Sequence, residues 1–287
     1  MFNVYMQESK VALVTGSSSG IGFETAILLA RSGYHTYASM RNIKKSKKIT
    51  DMADKKNLSL QFVELDVNND NSVKDAIDKI VREKNRIDVL VNNAGYGLFG
   101  SLEDMSLEEI KSQFETNFFG VIRVIQNSLP IMRKQQGGGF IVNISSVGGR
   151  MSVPVLSAYN STKFALEGMS ESLSYELEPF GIRVVIIEPG FIRTNIMNSS
   201  ILSKKSQVPN SPYFSLTQKV AKHFNSMVND PSSTHPEEVA KTILKAITSE
   251  SRQLRYTVGD DADSIIQAKK KTMLDADFEN LIKKQFQ

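Results

Sequence analysis

Tyr159 and Lys163 stand one helical turn apart in AYNSTK (158–163), and Ser145 and Ser146 close the apolar run GGGFIVNISS (137–146) upstream of them. Phenol, ammonium and hydroxyl together can move a proton. A free tyrosine titrates at about 10, too high for efficient proton transfer at neutral pH. A lysine on the same helix face would stabilise the phenolate and pull that value down, while a serine at the same edge would hold a substrate oxygen. The same pair on an open helix would be a solvated decoration, so the surrounding elements decide.

Short β-branched runs alternate with helical patterns over residues 1–190. KVALVT (10–15), HTYASM (35–40), SLQFVELD (59–66), DVLVNN (88–93), GGGFIVNISS (137–146) and RVVIIEPG (183–190) read as six strands. Helical spacing fills 22–33, about 71–84, about 106–134 and about 157–178. Near-continuous apolar strands imply a sheet covered on both faces by crossover helices, hence a doubly wound parallel α/β sheet. Such sheets bind ligands beyond the carboxyl ends of their strands. The serines, Tyr159 and the residues after each strand therefore belong to one edge.

After strand six the chain becomes polar and interrupted, with no firm strand over 191–224, and residues 191–233 read as a lid over that edge. THPEEVAKTILKAITS (234–249) reads as a helix capped by Thr234 ahead of a proline. RYTVG (255–259) reads as a seventh strand, and 261–287 as a helical tail. Residues 1–287 read as a single domain.

Composition narrows the chemistry. The 287 residues contain no cysteine and three histidines, His35, His223 and His235, which form no close pair, so no metal site is expected. The net charge of +4 and the clusters Lys44–Lys48 and Lys269–Lys271 read as solvated faces, not a nucleic-acid surface. No apolar run approaches membrane-spanning length and MFNVYMQESK lacks a signal-peptide pattern, so a soluble, cytoplasmic protein is expected.

TGSSSGIG (15–22) follows strand one and opens the first helix. Gly16, Gly20 and Gly22 permit a tight turn and close approach of the backbone to a pyrophosphate lying on the positive helix end. An NAD site usually has an acid at the end of strand two, but no Asp or Glu occurs between Glu24 and Asp51. Met40 ends that strand and Arg41 follows, suited to a 2′-phosphate. NADP(H) is therefore expected, with NAD(H) as the alternative. Asp66 can bond adenine or cap a turn. Asn93, Ala94 and Gly95 end strand four with residues small enough for a flat ring to lie against the backbone. Asn117, among phenylalanines, must be hydrogen-bonded, either holding a helix distortion and a water or making a plain structural contact.

TGSSSGIG, NNAG (92–95), Asn117, Ser146, YNSTK (159–163) and PGFIRT (189–194), in this order, resemble the short-chain dehydrogenase/reductase family. SSVGGRMSVP (145–154), the ASMRN after strand two and RYTVG look nearest to its steroid- and retinol-type members. The resemblance implies a Rossmann fold with strand order 3-2-1-4-5-6-7 and a catalytic tetrad on Asn117, Ser146, Tyr159 and Lys163. Lys163 would also hold the nicotinamide ribose. The dinucleotide would lie along Gly16, Ser18, Ser19, Gly20, Ile21 and Gly22, then Arg41, Asp66 and Val67, with Asn93, Ala94 and Gly95 beside the ring. Pro189, Gly190, Ile192 and Thr194 would close over the nicotinamide amide. The activity implied is hydride exchange between NAD(P) and a carbonyl/alcohol pair. A non-catalytic regulator would not need Ser146, Tyr159 and Lys163 together, and extended-type epimerases space their first glycines more closely.

Val153, Leu156, Phe191 and Met197, with Tyr213 and Phe214 from the lid, are expected to line the substrate pocket. None would clamp an anion, so a hydrophobic or aromatic ketone or secondary alcohol is expected. The competing substrate is an acyl-carrier thioester met by Lys204, Lys205 or the basic tail. Apolar faces on the helices about 106–134 and 157–178 suggest a homodimer or homotetramer.

Overall fold

A computed structural model describes residues 9–194, 200–271 and 284. Seven parallel strands form one sheet: β1 (Val11–Val14), β2 (His35–Met40), β3 (Leu60–Glu64), β4 (Val89–Asn92), β6 (Gly139–Ile144), β7 (Ile182–Pro189) and β9 (Arg255–Val258). Their spatial order is β3-β2-β1-β4-β6-β7-β9, which is the expected 3-2-1-4-5-6-7 counted over sheet strands alone. Every pairing is parallel and in continuous register, as in Val11↔His35 to Val14↔Ala38.

Alternate residues of each strand feed separate cores on the two faces. Ala12, Val14, Val142 and Val185 pack under α1 (Gly20–Arg31) and α8 (Pro236–Thr248), against Phe23, Ile27, Val239 and Ile243. Val11, Leu13, Ile141 and Val184 pack under α3 (Asp70–Lys84), α5 (Gly120–Lys134) and α6 (Ser157–Leu177), against Ile77, Ile80, Val124 and Leu166. Burial on both faces accounts for the unbroken apolar runs. A short helix, α2 (Lys47–Lys55), crosses from β2 to β3.

Three readings of the sequence are corrected. The long helix expected over about 106–134 is α4 (Leu107–Phe114), a π-helical turn (Glu115–Phe119) and α5. The lid carries ordered structure: β8 (Ile201–Leu202) pairs in parallel with β5 (Leu98–Phe99), and α7 (Phe214–Asn229) follows. The cap of α8 is His235, whose Nδ1 accepts from Glu237 N at 3.2 Å, because Pro236 takes the first helical position. Thr234 instead pairs with Ile192 in an isolated bridge. The C-terminal helix α9 spans Asp260–Lys271.

Candidate active site

The loop after β1 and the loop after β4 are built as one piece. Thr15 Oγ1 accepts from Asn93 N at 2.9 Å and Ala94 N at 3.0 Å, and Asn93 Nδ2 returns bonds to Thr15 O at 2.9 Å and Gly16 O at 3.2 Å. Gly16 has φ 69°, and a Cβ there would lie 2.9 Å from Ala94 Cα, so only glycine fits both the turn and the contact. Ser18 and Ser19 lead from this turn into Gly20, Ile21 and Gly22, the first residues of α1.

The start of α1 suits an anion. Its N-cap, Ser19, makes no side-chain capping bond, and no acidic residue occupies the first turn. Ser19 therefore leaves the start of the helix uncapped by its own side chain, at the positive end of the helix dipole. Thr194 lies opposite: a Cβ on Gly20 would be 3.3 Å from its Cγ2, which brings the PGFIRT segment over the glycine loop. Arg41, exposed just past β2, forms no ion pair with a described residue. Burial pushes the Tyr96 phenol up and the Arg41 charge opposes it, so the two face the same edge. Asp66 Oδ1 accepts from Asn68 N at 3.0 Å, which occupies one carboxylate oxygen in a turn. Val67, next in the chain, is buried and its carbonyl accepts from Arg123 at 2.5 Å.

The tetrad residues converge at the ends of β4 and β6. Ser146 begins a tight turn, its Oγ accepting from Gly148 N at 3.1 Å, and both Ser146 and Tyr159 line the same cavity. Ser145 is buried, with no partner for its Oγ among the described residues. Burial pushes the Tyr159 phenol up, and the nearby Ser146 hydroxyl pulls it back. Lys163 adds no lowering at the pH where the phenol titrates, because its own proton has left by then; its amine lies 2.8 Å from Ile144 O and 5.8 Å from the Tyr159 ring centroid. Burial brings Lys163 down to about 8, with Glu167 opposing.

Asn117 lies in the π-helical turn, where one extra residue per turn rotates its side chain inward. It is 1% exposed. Its Oδ1 accepts from Tyr96 N at 3.1 Å, and its Nδ2 donates to Tyr96 O at 2.9 Å and Thr162 Oγ1 at 3.3 Å. Asn117 thus marks a helix distortion and fastens the loop beyond Gly95 to α6.

Charged groups not singled out from the sequence stand behind Lys163. Glu167 accepts from Arg255 at 2.9 Å, and Glu188 from Arg150 at 2.9 Å. Burial pushes the Glu188 carboxyl up, and the nearby Glu167 charge adds to this.

A cavity opens from the tetrad. Val153, Leu156 and Phe191 line it as expected, and so do Pro189, Gly190, Ile192 and Thr194. Met197 lies outside the described residues. Tyr213 and Phe214 do not line the cavity; the nearby Glu103 carboxylate pushes the Tyr213 phenol up, and the lid's wall comes from Phe224 and Val228. Leu216, Val220, Phe224 and Val228 recur at helical spacing, a signal legible in the sequence. Phe99, Met151 and Ile265 complete the apolar lining. Val155, beside it, holds φ 57°, a strained conformation for a β-branched residue, and its carbonyl accepts from Gly100 N at 2.8 Å. Among the described residues no group of three or more His, Asp or Glu could hold a metal ion, and no helix is long and apolar enough to cross a membrane.

Comparison with known proteins agrees with this geometry. The family model described as short chain dehydrogenase matches residues 10–205. The uncharacterized oxidoreductase YusZ of Bacillus subtilis is 41% identical over 255 residues, covering 87% of this chain and 89% of that protein. The 17-beta-hydroxysteroid dehydrogenase type 1 of Homo sapiens is 34% identical over 254 residues, covering 86% of this chain and 76% of that one. A crystal structure of a short-chain dehydrogenase from Streptomyces avermitilis superposes with a TM-score of 0.82 at 32% identity, covering 97% of this chain and 98% of the other. The chain belongs to the short-chain dehydrogenase/reductase family and is an NAD(P)-binding oxidoreductase.

Proposed function

We propose that the protein interconverts a hydrophobic or aromatic ketone and its secondary alcohol, with NADP(H) preferred over NAD(H). The observation that carries this reading is that Ser146, Tyr159 and Lys163 line one cavity together with Phe99, Met151, Leu156, Phe191 and Phe224. The nicotinamide, when bound, supplies or accepts the hydride. Ser146 and Tyr159 hold the substrate oxygen between two hydroxyls, and Tyr159 gives it a proton in reduction and takes one in oxidation. At neutral pH, below its own value of about 8, Lys163 is charged, and that charge 5.8 Å from the Tyr159 ring favours the phenolate, while Asn117 keeps Tyr96 and Gly95 in place beside it.

Gly16, Ser18, Ser19, Gly20, Ile21 and Gly22 would hold the pyrophosphate at the start of α1, with Asp66 and Val67 towards the adenine. Arg41, exposed and without an ion-pair partner among the described residues, would take a 2′-phosphate. Asn93, Ala94 and Gly95 would flank the nicotinamide ring, and Ile192 and Thr194 its amide.

An apolar lining favours an apolar substrate, since an unpaired charge buried there is costly. The human relative's name, a hydroxysteroid dehydrogenase, agrees with that class. An acyl-carrier thioester is disfavoured: Lys204 and Lys205 lie outside the cavity lining, and Lys205 is 3.6 Å from the buried Asp104. We also propose a homodimer or homotetramer through α4–α5 and α6, where Leu107, Phe119, Phe164 and Tyr175 are exposed. A panel assay following NADPH oxidation with steroids, retinoids, aryl ketones, sugars and acetoacetyl thioesters tests the substrate class. Turnover of apolar ketones ahead of the rest supports it; preference for a sugar or an anionic thioester rejects it.

A further inference from the structure

The Pro189–Thr194 segment enters the site from the end of β7, and its backbone is held from the C-terminal part of the chain. Gly190 N donates to Val258 O at 3.0 Å, and Arg193 N donates to Thr234 O at 2.9 Å. Between these two, Phe191 N donates to Asp261 Oδ2 at 2.6 Å. Asp261 stands in the first turn of α9. The fit is tight enough to dictate the neighbouring residue: a Cβ on Gly190 would lie 2.1 Å from the same Oδ2.

Phe191 links this anchor to the cavity. Its ring lines the pocket and packs edge-on against Phe224, centroids 5.2 Å apart, and Phe224 packs likewise against Phe99 at 5.6 Å. One helical turn beyond Asp261, Ile265 also lines the cavity. Helix α9 therefore meets the site twice, once through a carboxylate on the loop backbone and once through an apolar side chain in the wall.

We propose that Asp261 is a positioning residue for the loop that would cover the nicotinamide, and that Ile265 on the same helix sets which apolar substrates fit. The proposal rests on the oxidoreductase reading above. A carboxylate accepting a backbone N–H makes a charge-assisted bond, roughly twice as strong as a neutral one. Removing it leaves the Phe191 amide without its acceptor and frees both the loop and the Phe191 ring. A neutral amide in its place keeps an acceptor oxygen and should restore much of the geometry.

The test is titration of NADPH, read by its fluorescence, into wild type, D261A, D261N, G190A and the double variant G190A/D261A, with melting temperature and kcat/KM measured alongside. The expected result is a Kd raised about tenfold in D261A and about threefold in D261N, the scale of a lost and a weakened charge-assisted bond. G190A should weaken binding because its methyl collides with the Asp261 carboxylate, and G190A/D261A should be no weaker than D261A, a non-additive pair. I265A should shift kcat/KM towards bulkier ketones with the NADPH Kd unchanged. D261N, which keeps shape and an acceptor, and G190A carry the test if D261A does not fold: wild-type affinity in both D261N and G190A overturns the proposal. So do additive effects of G190A and D261A, or unchanged selectivity in I265A. Wild-type protein that binds neither dinucleotide overturns the activity reading beneath the proposal, a result distinct from wild-type binding with unaltered variants.

Discussion

Lys163 Nζ lies 2.8 Å from the carbonyl oxygen of Ile144, the last residue of β6, and so ties helix α6 to the strand that presents Ser146. An ammonium that is 8% exposed is costly to the fold, and it is retained where its charge faces a phenol. The site is thus assembled at the expense of stability, and this can be measured.

Burial lowers Lys163 from 10.5 to about 8. Below pH 8 both folded and unfolded chains carry the proton, and the full penalty of about 3 kcal/mol is present. Between about pH 8 and 10.5 the folded chain sheds the proton first, so the penalty shrinks, and above that window it is gone. Leaving the Ile144 carbonyl unpaired costs a variant about 1 kcal/mol in return. K163M should therefore be more stable than wild type at pH 7 by about 1–3 kcal/mol, with the gap narrowing towards pH 10. Urea unfolding at both pH values checks this, and a K163M less stable at pH 7 contradicts it.

Arg41 should set the cofactor preference. A charge-assisted network to a 2′-phosphate is worth roughly 1.5–3 kcal/mol, about ten- to a hundredfold in Kd. NADPH should bind tighter than NADH by that factor, and R41A should erase the difference. Equal affinities in wild type, or tighter NADH, reject the preference.

Asn117 bonds both backbone groups of Tyr96, and N117A leaves the half-buried Tyr96 N–H without its acceptor, while the carbonyl keeps Gln113 Nε2 at 2.8 Å. The expected loss is about 1–3 kcal/mol of stability, with impaired turnover because the loop beyond Gly95 is released. Denaturant unfolding of N117A within about 0.5 kcal/mol of wild type, the ordinary range for a surface change, would show the contact to be dispensable.

The residues legible in the sequence were those whose partners lie close along the chain or in a regular element. Tyr159 and Lys163 are a turn apart on α6, and the glycine loop stands directly between a strand and a helix. The doubly covered parallel sheet followed from apolar runs that its strands bury on both faces, whereas the strand order came only with the family resemblance. Asp261 was not legible, because its partner Phe191 is 70 residues away and the contact exists only once β7 and β9 pair. The π-helical turn at Asn117 has no residue signature, since the same side chains suit an α-helix. Phe224 and Val228 were legible by spacing, but the polar residues around them in α7 obscured the stripe.

A subunit interface through α4–α5 and α6 predicts a mass of at least twice 32.0 kDa by light scattering at micromolar concentration. Replacing Phe164 and Tyr175 by charged residues should reduce it to the monomer. A wild-type mass near 32.0 kDa contradicts the interface.

The central claim is that Tyr159 is the proton donor and acceptor at the substrate oxygen. Replacing it by phenylalanine removes the hydroxyl that shares the cavity with Ser146 and keeps the ring beside Lys163. The most direct measurement is kcat for Y159F on the best apolar ketone found, with NADPH Kd determined on the same sample. The expected result is a fall in kcat of about a hundredfold or more, the scale of losing an acid catalyst, with Kd nearly unchanged. Near-normal turnover by Y159F would contradict it.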